Sequence, residues 1–182
     1  MTRFYTQTGD DGYTGLLGEG RTPKHNRRIE TIGAIDEANA AIGLARSFSA
    51  APQTSSILLT AQRDLYYIMS EVAAQPKNAS QFRKITSERV EWLETQIDDI
   101  SKEISIPDEF IVPGDSTAGS AFDLARTITR RAERHIAYLF HQKMIENREL
   151  LRYMNRLSSL CFVLELLENK ASGYSHPTLA KE

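Results

Sequence analysis

At 182 residues the chain is long enough for one domain with a sizeable core. Its 41% hydrophobic and 25% charged residues form an ordinary globular mixture, and a net charge of −2 excludes the strongly basic balance of a nucleic-acid or membrane-surface protein, so any basic site must be local. The single cysteine, Cys161, rules out an intrachain disulfide and a cysteine-based zinc cluster, and no run approaches the roughly 18 apolar residues of a membrane span.

The first six residues lack the apolar stretch of a secretory leader, so a soluble, cytoplasmic protein is expected. Residues 1–27 hold five of the ten glycines together with Pro23 and several Thr, Asp and Lys residues, which is loop chemistry. Two readings of it stand. One is a plain flexible arm. The other is an anion nest, in which Gly9 and Gly15 let backbone N–H groups converge on phosphate oxygens, Thr6, Thr8 and Thr14 add hydroxyls, and Lys24 adds a mobile charge. No Gly-Lys-Ser/Thr ends the segment, so it is not a Walker loop.

From Arg28 a first helix runs to about Phe48, with Ile29, Ile32, Gly33, Asp36, Ala40 and Gly43 at helical spacing. Asp36 in this stripe is either buried or at an interface, with an arginine of the fourth helix as partner, or a partly exposed acid at the stripe's edge. Past Pro52 a second helix covers about 55–73, and residues 75–85 read as a flexible connection. Thr86 or Ser87 caps a third helix bearing Val90, Leu93, Ile97 and Ile100; Pro107 ends that region. Phe110-Ile111-Val112, stopped by Pro113-Gly114, reads as an extended or turn segment. Ser116 or Thr117 opens a long fourth helix to about Gln142 on Ala121, Ala125, Ile128, Ala132, Ile136 and Leu139, and a fifth covers about 149–170. Asn155 faces inward there, to satisfy core polar groups or to bind a ligand. The polar tail, 172–182, is expected to be mobile. No strand-forming alternation occurs. The fold expected is all-α, an up-and-down five-helix bundle over residues 28–171 behind an extended N-terminal loop.

The fourth helix carries Arg126, Arg130, Arg131 and Arg134 within nine residues, with Glu133 the only acid among them. Arg126, Arg130, Glu133 and, less closely, Arg134 share one side, and Arg131 points away. Such a face is either solvated or a polyanion site, because guanidinium forks match phosphate oxygens. The four histidines form no metal pair and no nucleophile–base arrangement is readable. No protein-ligated metal is expected; Mg²⁺ held by phosphate oxygens and water is compatible with such a site.

Five segments in order, TQTGDDGYTGL (6–16), RRIETIGAIDEANAAIGLAR (27–46), FIVPGDS (110–116), ARTITRRAERHI (125–136) and YMNRLSS (153–159), resemble those of PduO-type ATP:cob(I)alamin adenosyltransferases. The resemblance extends from about Arg3 to about Glu168. It implies a homotrimer with ATP and corrinoid bound between subunits, and attack of cob(I)alamin on C5′ of ATP with triphosphate leaving. By matching position it implies an ATP clasp of Thr6, Thr8, Gly9, Thr14, Gly15 and Lys24, completed by Arg130, Glu133, Arg134 and Asn155. Arg126 would pair with Asp36 across the subunit boundary, and Phe110 would pack beneath the corrin and keep the lower ligand off cobalt. A cobalamin reductase or a cobalamin-dependent enzyme is a compatible partner. A carrier that binds ATP or adenosylcobalamin without turnover, and a structural oligomer with a solvated Arg face, are the competing readings. Two departures from the family pattern stand out. Asp115 occupies the second position of the usual Gly-Gly after Pro113, and Ser159 stands where an acid is frequent.

Overall fold

The computed structural model describes residues 5–181. Six α-helices form the body: α1 (Arg27–Phe48), α2 (Pro52–Ala73), the single turn α3 (Ala79–Phe82), α4 (Ser87–Ser101), α5 (Thr117–His141) and α6 (Arg148–Ala171). The expected five-helix count is thus corrected by α3, which with the 3₁₀ turn Pro76–Asn78 occupies the connection read as flexible. The expectation of no strand is corrected as well. Two three-residue strands, β1 (Tyr13–Gly15) and β2 (Arg21–Pro23), pair antiparallel, with Thr14 opposite Thr22. They are too short for alternation to be visible in sequence.

The helix starts follow local chemistry. Asn26 accepts the Arg28 N–H at 2.9 Å to cap α1, Ser116 accepts the Gly119 N–H at 2.9 Å to cap α5, and Asn147 accepts the Glu149 N–H at 3.1 Å to cap α6. Pro52 begins α2 rather than merely interrupting α1, since its missing N–H is harmless in a first turn.

The helices pack in the order α2–α1–α5–α6–α4, so α4 rests on α6 rather than on its chain neighbour α5. Ile35 and Ile42 of α1, Leu65 and Ile68 of α2, Phe122 and Ile136 of α5, and Tyr153 of α6 are fully buried in the shared core. The stripe expected on α1 is displaced. Thr31, Ala34, Ile35, Ala38, Ala41 and Ile42 face the core, whereas Gly33, Asp36 and Ala40 are exposed. Helix α1 has small residues on two faces, and periodicity alone does not say which one α2 and α5 cover.

Buried charges are mostly satisfied. Asp64 accepts from Tyr153 Oη at 2.7 Å and from Arg89 Nε at 3.1 Å, and Glu71 accepts from Asn147 at 3.0 Å and Arg83 at 3.3 Å. Arg28 reaches across the bundle. Its guanidinium donates to the carbonyls of Val72 at 2.8 Å and Ala74 at 3.4 Å, and to that of Met144. It thereby satisfies the open end of α2 and ties it to the loop before α6. Arg28→Met keeps the apolar stem and removes these donors; urea unfolding should show a loss of about 2–3 kcal/mol. An unchanged midpoint would contradict this role.

Candidate active site

The N-terminal segment is shaped by an ion pair that sequence reading missed. Arg21, on β2, donates to both carboxylate oxygens of Asp11 at 2.8 Å, to the carbonyl of Tyr13 at 2.9 Å and to that of Thr8. The Arg21 guanidinium holds the exposed Asp11 carboxyl below its ordinary value. The only sequence signal available was an acidic turn ten residues before an arginine. Within this ribbon the Thr6 and Thr8 hydroxyls lie 2.8 Å apart. A Cβ at Gly9 would come 3.0 Å from Lys24 Nζ, so the ammonium lies against bare backbone. Thr14 and Gly15 sit on β1 opposite Thr22 and Arg21. The ribbon's far end is fastened to α2 by Leu17 N–H to Ala73 O at 2.9 Å and Gln75 N–H to Leu17 O at 3.2 Å.

The second group lies on α5 and α6. Arg126 Nε donates to Asp123 at 2.8 Å within α5, whereas Asp36 is exposed on α1. Arg131 points away from these groups and pairs with Glu37 of α1. Glu133 accepts from Asn155 Nδ2 at 2.9 Å, and Arg134 donates to the Arg130 carbonyl at 3.2 Å. Asn155 thus bonds to a side chain of the Arg-rich helix rather than filling the core.

Arg126 and Arg130 border a cleft of about 480 Å³. Phe110, Ile111 and Pro113 form one wall; Asp123 of α5 and Ser158, Ser159 and Phe162 of α6 contribute to the rest. The Phe110 ring is 90% exposed at its rim. A large aromatic left in water beside two arginines suits a ligand with an apolar face and an anionic part. Sequence reading found Phe110, Arg126 and Arg130 but not Phe162 or Asp123 as cleft residues, because their convergence depends on how α5 and α6 are set against each other.

The ribbon and α5 are not joined by polar contacts among the described residues. Arg27, at the start of α1, stacks over Tyr138 at 5.4 Å, so the ribbon leaves beside the C-terminal half of α5. Arg130 lies eight residues earlier, about 12 Å along the axis. Among the described residues no hydrogen bond or ion pair joins residues 5–25 to α5.

Among the buried carboxylates of the described residues, Glu165 alone has no hydrogen-bond partner. Glu165 is 1% exposed and neither of its carboxylate oxygens is hydrogen-bonded among the described residues. Burial, followed by the nearby Asp123 charge, raises it from 4.5 to about 7 against the opposing pull of Arg126, with Asp115 raising it further. Cys161, also fully buried, is pushed up to about 12 by burial and stays a thiol.

The family is shown by comparison with known proteins. The family model for cobalamin adenosyltransferase matches residues 4–168. The corrinoid adenosyltransferase of Bacillus subtilis (strain 168) is 41% identical over 175 residues, covering 94% of this chain and 89% of that protein. The corrinoid adenosyltransferase PduO of Citrobacter freundii is 36% identical over 167 residues, which are 91% of this chain but 50% of that one, so the chain spans about half its length. A solved structure of a Phe-to-Ala variant of the PduO-type ATP:corrinoid adenosyltransferase from Lactobacillus reuteri, complexed with cobalamin and ATP, superposes with a TM-score of 0.89 at 30% identity. It covers 99% of this chain and 100% of that one. The chain belongs to the cobalamin adenosyltransferase family. Within that family it is of the PduO type.

The unpaired Glu165 makes a pH prediction. Its folded value lies above the unfolded one, so the native state holds an extra proton between about pH 4.5 and 7, and stability falls as pH rises through that window. The full shift corresponds to on the order of 3 kcal/mol. Glu165→Gln should therefore be more stable than the parent at pH 8 and nearly equal to it at pH 4.5, measured by urea unfolding. A difference that does not change with pH would refute this.

Proposed function

We infer that this chain transfers the 5′-deoxyadenosyl group of ATP to cob(I)alamin, giving adenosylcobalamin and inorganic triphosphate. The observation that carries this reading is the cleft in which an exposed aromatic, Phe110, faces Arg126 and Arg130 on a chain of this family. The cobalt of cob(I)alamin supplies the electron pair, the Co–C5′ bond forms, the C5′–O bond breaks, and its electrons leave on the triphosphate. Arg130 stabilises the charge that grows there. No protein nucleophile is needed. The buried thiol of Cys161 agrees with that, since it stays protonated.

ATP is held by the ribbon, with Thr6, Thr8 and Thr14 offering hydroxyls, Gly9 and Gly15 offering backbone N–H groups, and Lys24 its ammonium. Glu133, Arg134 and Asn155 complete the nucleotide site. Mg²⁺ enters with the triphosphate, coordinated mainly by phosphate oxygens and water. Among the described residues no three acidic, His or Cys side chains converge on one point. Phe110 packs beneath the corrin and keeps the lower ligand off cobalt, which eases reduction to cob(I).

The working unit is a homotrimer. The lack of hydrogen bonds and ion pairs between ribbon and α5 among the described residues supports it, because a neighbour's Arg face can close on the ribbon. So does the exposed small face of α1 around Gly33, Asp36 and Ala40. Arg126, already held by Asp123, bridges in the assembly to Asp36 of the partner subunit. No helix among the described residues is long and apolar enough to cross a membrane.

Adenosylcobalamin formation from ATP under strong reduction, followed by absorbance, tests the reaction; tight corrinoid binding without turnover would instead establish a carrier. Arg130→Ala should lower kcat by about 100-fold or more with unchanged helical circular dichroism. A nearly unchanged rate would remove Arg130 from the triphosphate. Asp36→Asn should weaken trimer assembly or ATP binding, read by sedimentation and calorimetry. Intact trimers with parental affinity would exclude the Asp36–Arg126 bridge.

A further inference from the structure

The C-terminal tail, expected to be mobile, is tied to the wall of the cleft. Its path begins with a fixed reversal at the end of α6. Gly173 adopts φ +94°, its N–H bonds to Lys170 O at 3.0 Å, and the Tyr174 N–H bonds to Asn169 O at 2.9 Å. That is a Schellman closure, and glycine relieves the strain of the left-handed residue. The tail then runs antiparallel to the Phe110 segment, with Leu179 opposite Ile111. The Val112 N–H donates to Thr178 O at 2.8 Å and the Ala180 N–H donates to Phe110 O at 2.7 Å.

What fastens this strand is Asp115. One carboxylate oxygen accepts the Thr178 N–H at 3.0 Å and the other accepts the Thr178 hydroxyl at 2.7 Å. Gly114, immediately before it, takes φ +134°, a turn that carries the chain from the 110–112 segment towards the α5 cap. The residue that departs from the expected Gly-Gly therefore has a definite use in this chain.

Phe110 as a residue is 90% exposed, so packing does not set its place. Its position rests on its backbone, and the tail supplies ladder bonds to Phe110 and Val112. We propose that Asp115 is a positioning residue for the acceptor wall: by latching Thr178 it holds 178–180 as a second strand and so fixes where Phe110 meets the corrin. The proposal rests on the corrinoid reading of the cleft.

Two single variants of the full chain, Asp115→Ala and Thr178→Val, and their combination test it. The second lies in the tail, away from the helices. Each single variant should raise KM for cob(I)alamin about tenfold, the scale of a charge-assisted hydrogen bond, and leave KM for ATP within about twofold. The double variant should add little to Asp115→Ala alone, because Thr178→Val removes one of the two bonds that Asp115→Ala already removes. Amide hydrogen exchange at Val112 and Ala180 should accelerate in the Asp115 variant, whether or not the protein turns over. Unchanged exchange would overturn the latch. Faster exchange with an unchanged corrinoid KM, or equal rises in both KM values, would overturn the positioning role. Absence of adenosylcobalamin formation by the parent would instead remove the functional reading beneath it.

Discussion

Helix α5 is held on two sides, by α1 and by α6, and only its remaining side is open. Ala118, Ala121, Ala125 and Ala132 make that possible, since small side chains let three helices approach closely while Phe122, Ile136 and Leu139 fill the gaps. With those positions buried, the arginines have no choice of direction. Arg131 is turned to Glu37 on α1, and Arg126 and Arg130 are left at the cleft beside α6. The basic character of the site is thus a by-product of how the core is packed.

The polar groups in the interior differ in how well they are satisfied. Asp64, Glu71 and Glu168 each receive two or more donors, Glu168 from the N–H groups of Ala50 and Ala51 at 2.8 and 3.3 Å. These contacts join helices that sequence distance keeps far apart. Glu165 receives none, although it lies as deep. Burial, and then the charges of Asp123 and Asp115, disfavour its ionised form more than Arg126 favours it. Its carboxyl is accordingly pushed up to about 7.

The cleft wall has a different character from its floor. Arg126 and Arg130 rise from a long helix, whereas Phe110 stands on a short extended segment whose hydrogen-bond partners come from the chain's other end. Charge placement thus rests on helix packing, and aromatic placement on hydrogen bonds to the tail. A wall secured by exposed hydrogen bonds opens more readily than a packed core.

Local chemistry was legible from the chain alone. The helices from Pro52, Ser87, Thr117 and Arg148 begin within a few residues of their expected positions, because caps, prolines and 3.6-residue spacing act within a single element. The common side of Arg126 and Arg130 was legible for the same reason. Tertiary structure alone decided which face of α1 is buried, since α1 offers small residues on both faces and only the approach of α2 and α5 chooses between them. It also decided the Asp11–Arg21 clasp, the entry of Phe162 and Asp123 into the cleft, the isolation of Glu165, and the docking of the tail on Asp115. Each of these depends on the relative placement of segments far apart in sequence. Residue types and spacing determine what a segment can form, while the register between packed segments determines which side chains meet.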